Sequence, residues 1–342
     1  MAAPENILLI RLKSIGDVVF TLPAVHVIRC NFPDAKLHFL VSKEHAPLLR
    51  GFSEIDSVIP LDRATSRSGN LPAVCAATFQ LLRRLRQPRF SHSIDFQGYG
   101  ETAFLSWWSG APERWGNVYQ SLRGWAYTHG VRSGNAIHPA EQNLFLLQQC
   151  GIDIGRIRNE YVLPGDALEI ARQFFATNHL DTAKPTLFVQ PFTSASHKNW
   201  PLENYLKLAQ HWNARGAQII FGGGPADHAA LEPARAASFT VSAGVPLLVS
   251  AGLMKLSTLV VGGDTGLLHL TVAMGRRVVM LMRSNHKGNV RGQTFPFQHP
   301  DWAVMAAASQ PIASVEISTV IDATTHAMDR WQNGSAESFC VP

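Results

Sequence analysis

The segment Gly262–His269, with the sequence GGDTGLLH, constrains the fold of this chain more than any other. It lies between an apolar run, Leu259–Val261, and an amphipathic run, Leu267–Met274. This pattern predicts a buried strand, a glycine turn and a helix in immediate succession. Such a junction directs free backbone N–H groups and the positive end of the helix at one point, which suits a phosphate. The alternative is an ordinary junction in which the acid and the hydroxyl only cap the helix.

The same alternation of strand and helix continues along the whole chain. The predicted strands are Ile7–Leu12, Lys36–Val41, Ser57–Leu61, His92–Phe96, Thr186–Gln190, Gln218–Phe221, Leu259–Val261 and Val278–Met282. The predicted helices are Pro23–Cys30, Leu71–Leu85, Ala140–Cys150, Ala167–His179, Pro201–Arg215, Ala226–Ala237, Leu267–Met274 and Ser314–Trp331. Apolar strands alternating with helices predict parallel sheets covered on both faces. We therefore expect an α/β fold with two doubly wound, Rossmann-like domains that face a central cleft.

The length of 342 residues favours two domains over one core. The turn signal Pro164-Gly165 predicts the linker. We expect an N-terminal domain at residues 1–165 and a C-terminal domain at residues 166–313. A last helix at 314–332 could cross back onto the first domain, and residues 333–342 are expected to form a loose tail.

The composition indicates a folded globular protein, with 46% hydrophobic and 16% charged residues. No apolar run reaches the roughly 18 uncharged residues that a membrane span requires, and the N-terminus resembles a first strand, not a signal peptide. The four cysteines lack C-x-x-C spacing and are expected to be reduced, mostly buried thiols of a cytoplasmic protein: Cys30, Cys75, Cys150 and Cys340. The histidines form no metal-binding pattern, so no metal site is predicted.

The net charge of +5 is concentrated in the N-terminal half. Residues 1–165 carry 17 Lys and Arg against 13 Asp and Glu, whereas residues 166–342 carry 13 against 12. Arginines cluster at positions 83, 84, 86 and 89. Such a run is often only a solvated helix face. The functional interpretation is an electropositive surface for an anionic partner or membrane. Nucleic acid is not expected, since no binding module is visible.

The first polar segment after a predicted strand is Arg11–Asp17, with the sequence RLKSIGD. Gly16 permits a tight turn, and Asp17 then begins a helical region. Asp17 is either a helix cap with Arg11 or Lys13 as its charge partner, or a base that accepts a proton from a substrate hydroxyl.

The second segment, Gln190–Pro201, combines hydroxyls with an ammonium group before a helix start. Thr193, Ser194 and Lys198 are the groups that a diphosphate requires, because they supply donors and cancel charge. The alternative is a capped loop with a solvated lysine.

The third segment, Phe221–Asp227, carries three consecutive glycines after a strand. Gly223 and Gly224 would let a ligand approach the backbone, and Asp227 could bind ribose hydroxyls. Its spacing is not G-x-G-x-x-G, so a dinucleotide fingerprint is absent. A plain turn with an acid in the first helical turn is the alternative.

The fourth segment is the glycine junction itself, where Asp264, Thr265, Gly266 and His269 lie together. His269 is either a core histidine or a contact to a bound phosphate or sugar. All four segments follow strands, so all are expected to face the cleft.

In their order, these segments resemble the ADP-heptose:lipopolysaccharide heptosyltransferases of glycosyltransferase family 9. Residues 9–24 are similar to the opening strand and acceptor loop of that family, and Thr193-Ser194 with Lys198–Pro201 to its phosphate loop. Gly223–Asp227 and Gly263–His269 are similar to its two donor motifs. The resemblance covers nearly the whole chain except residues 63–160.

The resemblance implies a GT-B fold, with the acceptor on the N-terminal domain and the nucleotide-sugar on the C-terminal one. It implies an inverting transfer of heptose from ADP-heptose to the inner core of lipopolysaccharide. Asp17 would be the general base, and Lys198 with Thr193 and Ser194 would hold the diphosphate. Asp227 would contact the ribose, and Asp264–Gly266 with His269 would contact the sugar and phosphates.

This chemistry needs no resident cofactor, because Lys198 and helix N–H groups can neutralise the leaving group. A divalent ion is possible but no Asp-x-Asp pair indicates one. The expected acceptor is lipid A that bears Kdo or heptose, which places the protein in the cytoplasm or peripherally at the inner face of an anionic inner membrane. The alternatives are a GT-B transferase or epimerase for another nucleotide-sugar, and a non-catalytic nucleotide-sugar-binding protein.

Overall fold

The computed structural model describes residues 5–63, 71–132, 137–284 and 294–332. Two compact units divide the chain between Asn159 and Glu160. The domain boundaries drawn from the sequence stay predictions, and the tail at 333–342, with Cys340, lies outside the described residues. In the described part of the chain, no helix is both long enough and apolar enough to cross a bilayer.

The first unit is built on a six-stranded parallel sheet. Its strands are β1 (Asn6–Ile10), β2 (Lys36–Ser42), β3 (Ser57–Leu61), β4 (His92–Asp95), β5 (Glu113–Val118) and β6 (His129–Arg132). The strand order is β3-β2-β1-β4-β5-β6. Residues Ile7 to Ile10 are fully buried, as expected for a central strand covered on both faces. Successive strands are added toward one edge of the sheet from β1 to β3 and toward the other edge from β4 to β6. The loops after β1 and β4 therefore flank the switch point where ligands bind in such sheets.

Helices connect these strands. They are α1 (Ile15–Val19), α2 (Leu22–Asn31), α3 (Leu71–Arg84), α4 (Gly100–Trp108) and α5 (Pro139–Gln149), with 3-10 helices at Lys43–Gly51 and Ser121–Ala126. Pro23 lies in the first turn of α2, where its missing N–H leaves no hydrogen bond unmade.

The second unit repeats this topology. Its strands are β7 (Thr186–Gln190), β8 (Gln218–Gly223), β9 (Thr240–Ala243), β10 (Leu259–Gly263), β11 (Val278–Met282) and β12 (Ala303–Met305). The order β12-β11-β10-β7-β8-β9 is again parallel throughout. Here the switch point lies between β7 and β10.

The helices of the second unit are α6 (Gly165–Thr177), α7 (Leu202–Asn213), α8 (Glu232–Ala236), α9 (Leu247–Leu256), α10 (Gly266–Ala273) and α11 (Ile317–Gln332). Short 3-10 helices lie at Ser196–Lys198, Pro225–Asp227, Pro300–Trp302 and Ile312–Ser314. The last helix, α11, packs on the core of this unit through Val320 and Met328. The indole Nε1 of Trp212 donates to Thr324 Oγ1 at 3.0 Å.

The predicted α/β class with two doubly wound parallel sheets is confirmed, but several elements were missed. The strands β5, β6, β9 and β12 are short or rich in polar residues, so they lack an apolar run. The helix expected at Ala226–Ala237 is wrong. The first part of that range forms the 3-10 helix Pro225–Asp227, and a separate helix, α8, begins at Glu232. Pro233 lies in the first turn of α8, where proline is tolerated.

The prediction of mostly buried thiols is also wrong for two cysteines. Cys30 and Cys75 are exposed, and Cys150 is half-buried. Cys75 lies on α3, a helix in which no residue is fully buried. Burial raises the pKa of the Cys150 thiol to about 12, so this thiol stays protonated at neutral pH.

Candidate active site

The glycine turn expected directly after Val261 is wrong, because Gly262 and Gly263 are the last two residues of β10 and are packed too closely for any side chain. A Cβ atom on Gly262 would lie 2.5 Å from the carbonyl oxygen of Gln190, and one on Gly263 would lie 2.7 Å from Thr193 Cγ2. Gln190 is the last residue of the neighbouring strand β7, and Thr193 lies in the loop that follows it. The glycines therefore bring the second and fourth predicted segments together at the switch point of the second sheet.

The helix α10 begins at this junction as the sequence predicts. Thr265 is its N-cap, and the hydroxyl accepts from the backbone N–H of Leu268 at 3.4 Å. The N–H groups of Gly266 and Leu267 have no acceptor within the helix, because the first turn of any α-helix lacks one. Both residues are half-buried. This end of α10 can therefore donate to an anion.

Asp264 does not cap the helix but joins three other side chains. Its Oδ2 accepts from Lys198 Nζ at 2.8 Å and from Thr294 Oγ1 at 2.9 Å. Its Oδ1 lies 2.9 Å from His269 Nε2. Lys198 remains 41% exposed in its side chain, whereas Asp264 is 15% exposed. The carboxylate thus holds the ammonium group beside the helix N-terminus while leaving part of it open to a ligand.

Opposing effects act on the Asp264 carboxyl. Burial by itself raises the pKa of this carboxyl. The hydrogen bonds and positive charge of His269 and Lys198 outweigh burial and hold the pKa well below the ordinary value. Asp264 is therefore ionised at any pH where the protein works. An acid that stays ionised is suited to holding a cation, and it is a poor proton acceptor.

The loop after β7 is ordered by its own side chains. The backbone N–H and the hydroxyl of Thr193 both donate to Asn199 Oδ1 at 2.9 Å. Ser194 is exposed. Asn199 was not among the predicted site residues, although it stands beside Lys198 in the sequence. It fixes the loop that presents Lys198 and the two hydroxyls.

Asp227 is engaged with its own turn. Its Oδ2 accepts from the backbone N–H of Gly224 at 2.8 Å. A Cβ on Gly223 would lie 2.8 Å from Leu231 and 3.0 Å from the Cβ of Asp227, so glycine is required there for packing. The capping alternative accounts for these contacts, and ribose binding by Asp227 stays a prediction. Since β8 neighbours β7, this turn lies one strand away from the switch point.

In the first unit, Asp17 is paired and accessible. Its Oδ1 lies 2.7 Å from Arg11 Nη2, and its Oδ2 accepts from the backbone N–H of Ser14 at 2.9 Å. The side chain is 35% exposed. Lys13 is exposed as well. The tight turn expected at Gly16 is wrong: this residue lies inside α1, and its carbonyl accepts from the N–H of Phe20. The charge partner of the alternative interpretation is therefore present as Arg11, but the predicted N-cap is wrong: Ser14 is the N-cap, and Asp17 is the third residue of α1, from which its carboxylate reaches back to the Ser14 N–H.

The residue that supports this loop lies far away in the sequence. Gln97, the second residue after β4, accepts through Oε1 from the N–H groups of Leu12 at 2.9 Å and Lys13 at 3.3 Å. Arg11 donates to the carbonyl of Phe96 at 2.7 Å. No sequence pattern marks Gln97 as a site residue. Its position just after the predicted strand His92–Phe96 was a signal that could have found it, because polar residues after strands often lie at the ligand-binding edge of such sheets.

Asp95 anchors the Gln97 loop from beneath. It is fully buried, and its Oδ1 accepts from the N–H groups of Gln97 and Gly98. Its Oδ2 accepts from the hydroxyl of Tyr127 at 2.6 Å. Burial raises the pKa of the Asp95 carboxyl, and these hydrogen bonds only partly offset that effect. Asp95 is a structural acid of the first unit.

Within residues 5–63, 71–132, 137–284 and 294–332, no three His, Cys, Asp or Glu side chains are grouped to hold a metal ion. The expectations about cofactors stay predictions.

The sequence and the fold were compared with known proteins. The family model "Glycosyltransferase family 9 (heptosyltransferase)" matches residues 78–321. Lipopolysaccharide core heptosyltransferase OpsX of Haemophilus influenzae is 24% identical over 227 residues, which are 66% of this chain and 61% of OpsX. Lipopolysaccharide heptosyltransferase 1 of Escherichia coli K12 is 23% identical over 296 residues, which are 84% of this chain and 90% of that enzyme.

Solved structures share the fold. The family 9 glycosyl transferase of Veillonella parvula superposes with a TM-score of 0.83 at 18% identity, covering 95% of this chain and 97% of that one. Escherichia coli heptosyltransferase WaaC, solved with ADP, gives a TM-score of 0.75 at 21% identity, covering 94% and 99%. The family model spans well over half of the chain. The chain therefore belongs to glycosyltransferase family 9, the heptosyltransferases.

Proposed function

We propose that this protein is an inverting glycosyltransferase that moves a heptose from ADP-heptose to the inner core of lipopolysaccharide. One observation carries the proposal: Lys198, held by Asp264, lies beside the open N-terminus of α10 at a switch point. A cation next to unpaired N–H groups is an anion site built for a diphosphate. Membership of the heptosyltransferase family supports the choice of donor.

The donor is held by the second unit. The diphosphate accepts from the N–H groups at the start of α10 and from Lys198, and Thr193 and Ser194 supply further donors at the same edge. Gly223 and Gly224 let the nucleoside approach the backbone, and Asp227 binds the ribose. The sugar lies against Asp264 and Thr265, with His269 behind them. Because His269 is only 4% exposed, it acts on the ligand through Asp264.

The acceptor is activated by the first unit. The Asp17 carboxylate makes its described contacts with Arg11 and Ser14, and a carboxylate offers about four acceptor positions. It can therefore still take the proton of an acceptor hydroxyl. Arg11, whose side chain is 13% exposed, orients the carboxylate, and the exposed Lys13 stands where acceptor phosphates or carboxylates would need a cation.

Transfer is a single displacement. The acceptor oxygen forms a bond to the anomeric carbon as its proton passes to Asp17, and the bond from that carbon to the diphosphate oxygen breaks on the opposite face. The electron pair leaves with ADP, whose added charge Lys198 and the N–H groups of α10 stabilise. The products are the heptosylated acceptor with inverted configuration and ADP. The chemistry has no step that requires a metal ion.

We further propose that the acceptor is lipid A bearing Kdo or a first heptose; in support, the relatives are a lipopolysaccharide core heptosyltransferase and a lipopolysaccharide heptosyltransferase. Such an acceptor is anchored in a bilayer, so the protein would work in peripheral contact with an anionic membrane.

The test is transfer by the purified full chain. ADP release and product mass are measured with ADP-heptose and Kdo-bearing lipid A, with and without a first heptose. Asp17→Asn keeps the shape but removes the base, so transfer should fall by about 10² to 10⁴. Asp34→Asn, at an exposed acid of the same unit, is the matched control and should retain full activity.

Other outcomes would overturn the proposal. Transfer by Asp17→Asn at the rate of the unchanged chain would remove the assigned base. Release of nucleotide without an acceptor and with an altered sugar would indicate an epimerase. Tight binding of ADP-heptose without turnover on any acceptor would indicate a binding protein.

A further inference from the structure

The first unit exposes a group of large apolar side chains that its core does not use. Phe104 and Trp107 lie on α4, and Leu122 and Trp125 on the 3-10 helix Ser121–Ala126. Trp107 is 44% exposed, Trp125 59% and Leu122 86%. The rings of Trp107 and Trp125 are 5.7 Å apart, and those of Phe104 and Trp107 5.9 Å. We call these four residues the tryptophan patch.

The patch is not needed to fold α4. The opposite side of this helix buries Ala103 and Leu105, which already fix it to the unit. Large apolar side chains that cluster in solvent usually mark a surface that another body covers. The arrangement therefore requires an occupant.

A cluster of arginines reaches the helix that carries half of the patch. Arg83, Arg84 and Arg86 are exposed at and just after the end of α3. Arg86 lies over the ring of Trp108 at 5.2 Å, and the indole of Trp108 donates to the carbonyl of Leu82 at 3.0 Å. These contacts join the arginine cluster to α4.

The charge of this region is strongly one-sided. Residues 71–132 contain seven arginines against three acidic residues. One of the three acids, Asp95, is fully buried and contributes nothing to the surface. A second copy of the chain would bring arginines against arginines, so self-association is disfavoured.

Two tyrosines continue the surface toward the edge of the sheet that carries the proposed base. Tyr99 follows β4 and Tyr119 follows β5, and their exposed rings are 6.3 Å apart. Arg123 lies over Tyr99 at 6.0 Å and donates to the carbonyl of Gly98. Since β4 also precedes Gln97, which supports the Asp17 loop, this end of the surface lies on the acceptor side of the first unit.

We propose that the tryptophan patch and its arginines dock the protein on an anionic lipid bilayer. Tryptophan and tyrosine rings favour the boundary between headgroups and acyl chains, and arginines bind the anionic headgroups beside them. Docking here brings the Asp17 loop near a lipid-anchored acceptor. The approach to the acceptor rests on the proposed function. The docking surface itself rests on the exposure of the patch side chains and on the charge of the arginines.

The test is co-sedimentation of the full chain with vesicles of phosphatidylcholine, with or without phosphatidylglycerol. The chain should bind the anionic vesicles, and binding should weaken as salt rises. The double variant Trp107→Ser with Trp125→Ser, and separately Arg83→Gln with Arg84→Gln, should each bind at least about tenfold more weakly. Transfer to a detergent-dispersed acceptor should be unchanged in both, which separates this inference from the proposed function.

The matched controls lie on the second unit. Ile170→Ser removes an apolar side chain that is 48% exposed, and Arg172→Gln removes an exposed charge. Both should bind vesicles like the unchanged chain. Equal binding to neutral and anionic vesicles, full binding by the patch variants, or a dimer in solution that the Trp125 substitution dissolves would each overturn the proposal.

Discussion

At the scale of single residues, the candidate site depends on two acids, Asp264 and Asp95, whose pKa values are shifted in opposite directions. Asp264 is surrounded by groups that donate to its charged form, so its pKa lies below the ordinary value. Asp95 is so deeply buried that its pKa lies above the ordinary value despite several donors. The first acid holds a cation for a ligand, and the second holds a loop.

Replacing His269 by Leu should destabilise the second unit and weaken donor binding. The change leaves Asp264 Oδ1 without the imidazole contact of 2.9 Å, so the buried carboxylate loses a charge-assisted partner. We expect a loss of about 1–3 kcal/mol in the free energy of unfolding, measured with urea, and weaker ADP binding in calorimetry. His326→Leu, at an exposed site on α11, is the control. Unchanged values for His269→Leu would contradict this role.

Asp95→Asn should change how stability depends on pH. Because the folded state raises the pKa of this carboxyl, its contribution is full below the unfolded pKa, near 4, and is lost as pH rises through the folded value. Asparagine keeps an acceptor for Gln97 and Gly98 but does not ionise. The stability of the variant relative to the unchanged chain should therefore increase as pH rises from about 4. A difference that is constant with pH would contradict this.

At the scale of elements, the chemistry lies on loops that follow neighbouring strands. The Asp17 loop follows β1 and is held by the loop after β4, and the Lys198 loop follows β7 and is held by the turn after β10. Each pair of loops flanks a switch point, where the connecting helices depart to opposite faces of the sheet and leave a crevice. A side chain in one loop therefore depends on the integrity of the other.

Gln97→Leu should lower the rate of transfer while leaving ADP affinity unchanged. Leucine fills a similar volume but cannot accept from the N–H groups of Leu12 and Lys13, so the loop that carries Asp17 loses both bonds. A fall in kcat of about tenfold or more is expected, since small displacements of a catalytic group are costly. Gln87→Leu, at an exposed position of the same unit, should leave kcat unchanged. Normal kcat in Gln97→Leu would show that the loop needs no such support.

At the scale of the whole molecule, two units of the same strand order carry different parts of the proposed reaction. Each unit has its own sheet, and the hydrogen bonds described for Asp17 and for Lys198 stay within their own units. The groups proposed to bind the donor belong to the second unit, and the proposed base belongs to the first. Binding of the nucleotide and catalysis of transfer should therefore respond to different substitutions.

Calorimetry with ADP tests this division. Lys198→Met removes the ammonium group and should weaken ADP binding by about a hundredfold or less, whereas Lys207→Met, at an exposed lysine of α7, should not. Asp17→Asn should bind ADP like the unchanged chain even though it fails in transfer. A marked loss of ADP affinity in Asp17→Asn would place that acid in the donor site instead.

The sequence by itself determined the local structure of the site. The apolar run at 259–261 specifies a strand and the capping residue Thr265 specifies the helix start that follows, because these depend only on neighbouring residues. The same holds for the position of Asp17 after β1 and of Lys198 after β7. The alternation of strands and helices along the chain was enough to predict the α/β class.

Only the tertiary structure decided which of these groups meet. Lys198 and Asp264 are 66 positions apart, and Gln97 lies 85 positions from Leu12, yet each pair is in hydrogen-bond contact. Strand order creates such contacts, and no local pattern encodes it, since it depends on how the sheet packs as a whole. The same reason applies to Trp107 and Trp125: their composition is visible in the sequence, but that both rings lie together in solvent follows only from how α4 is packed.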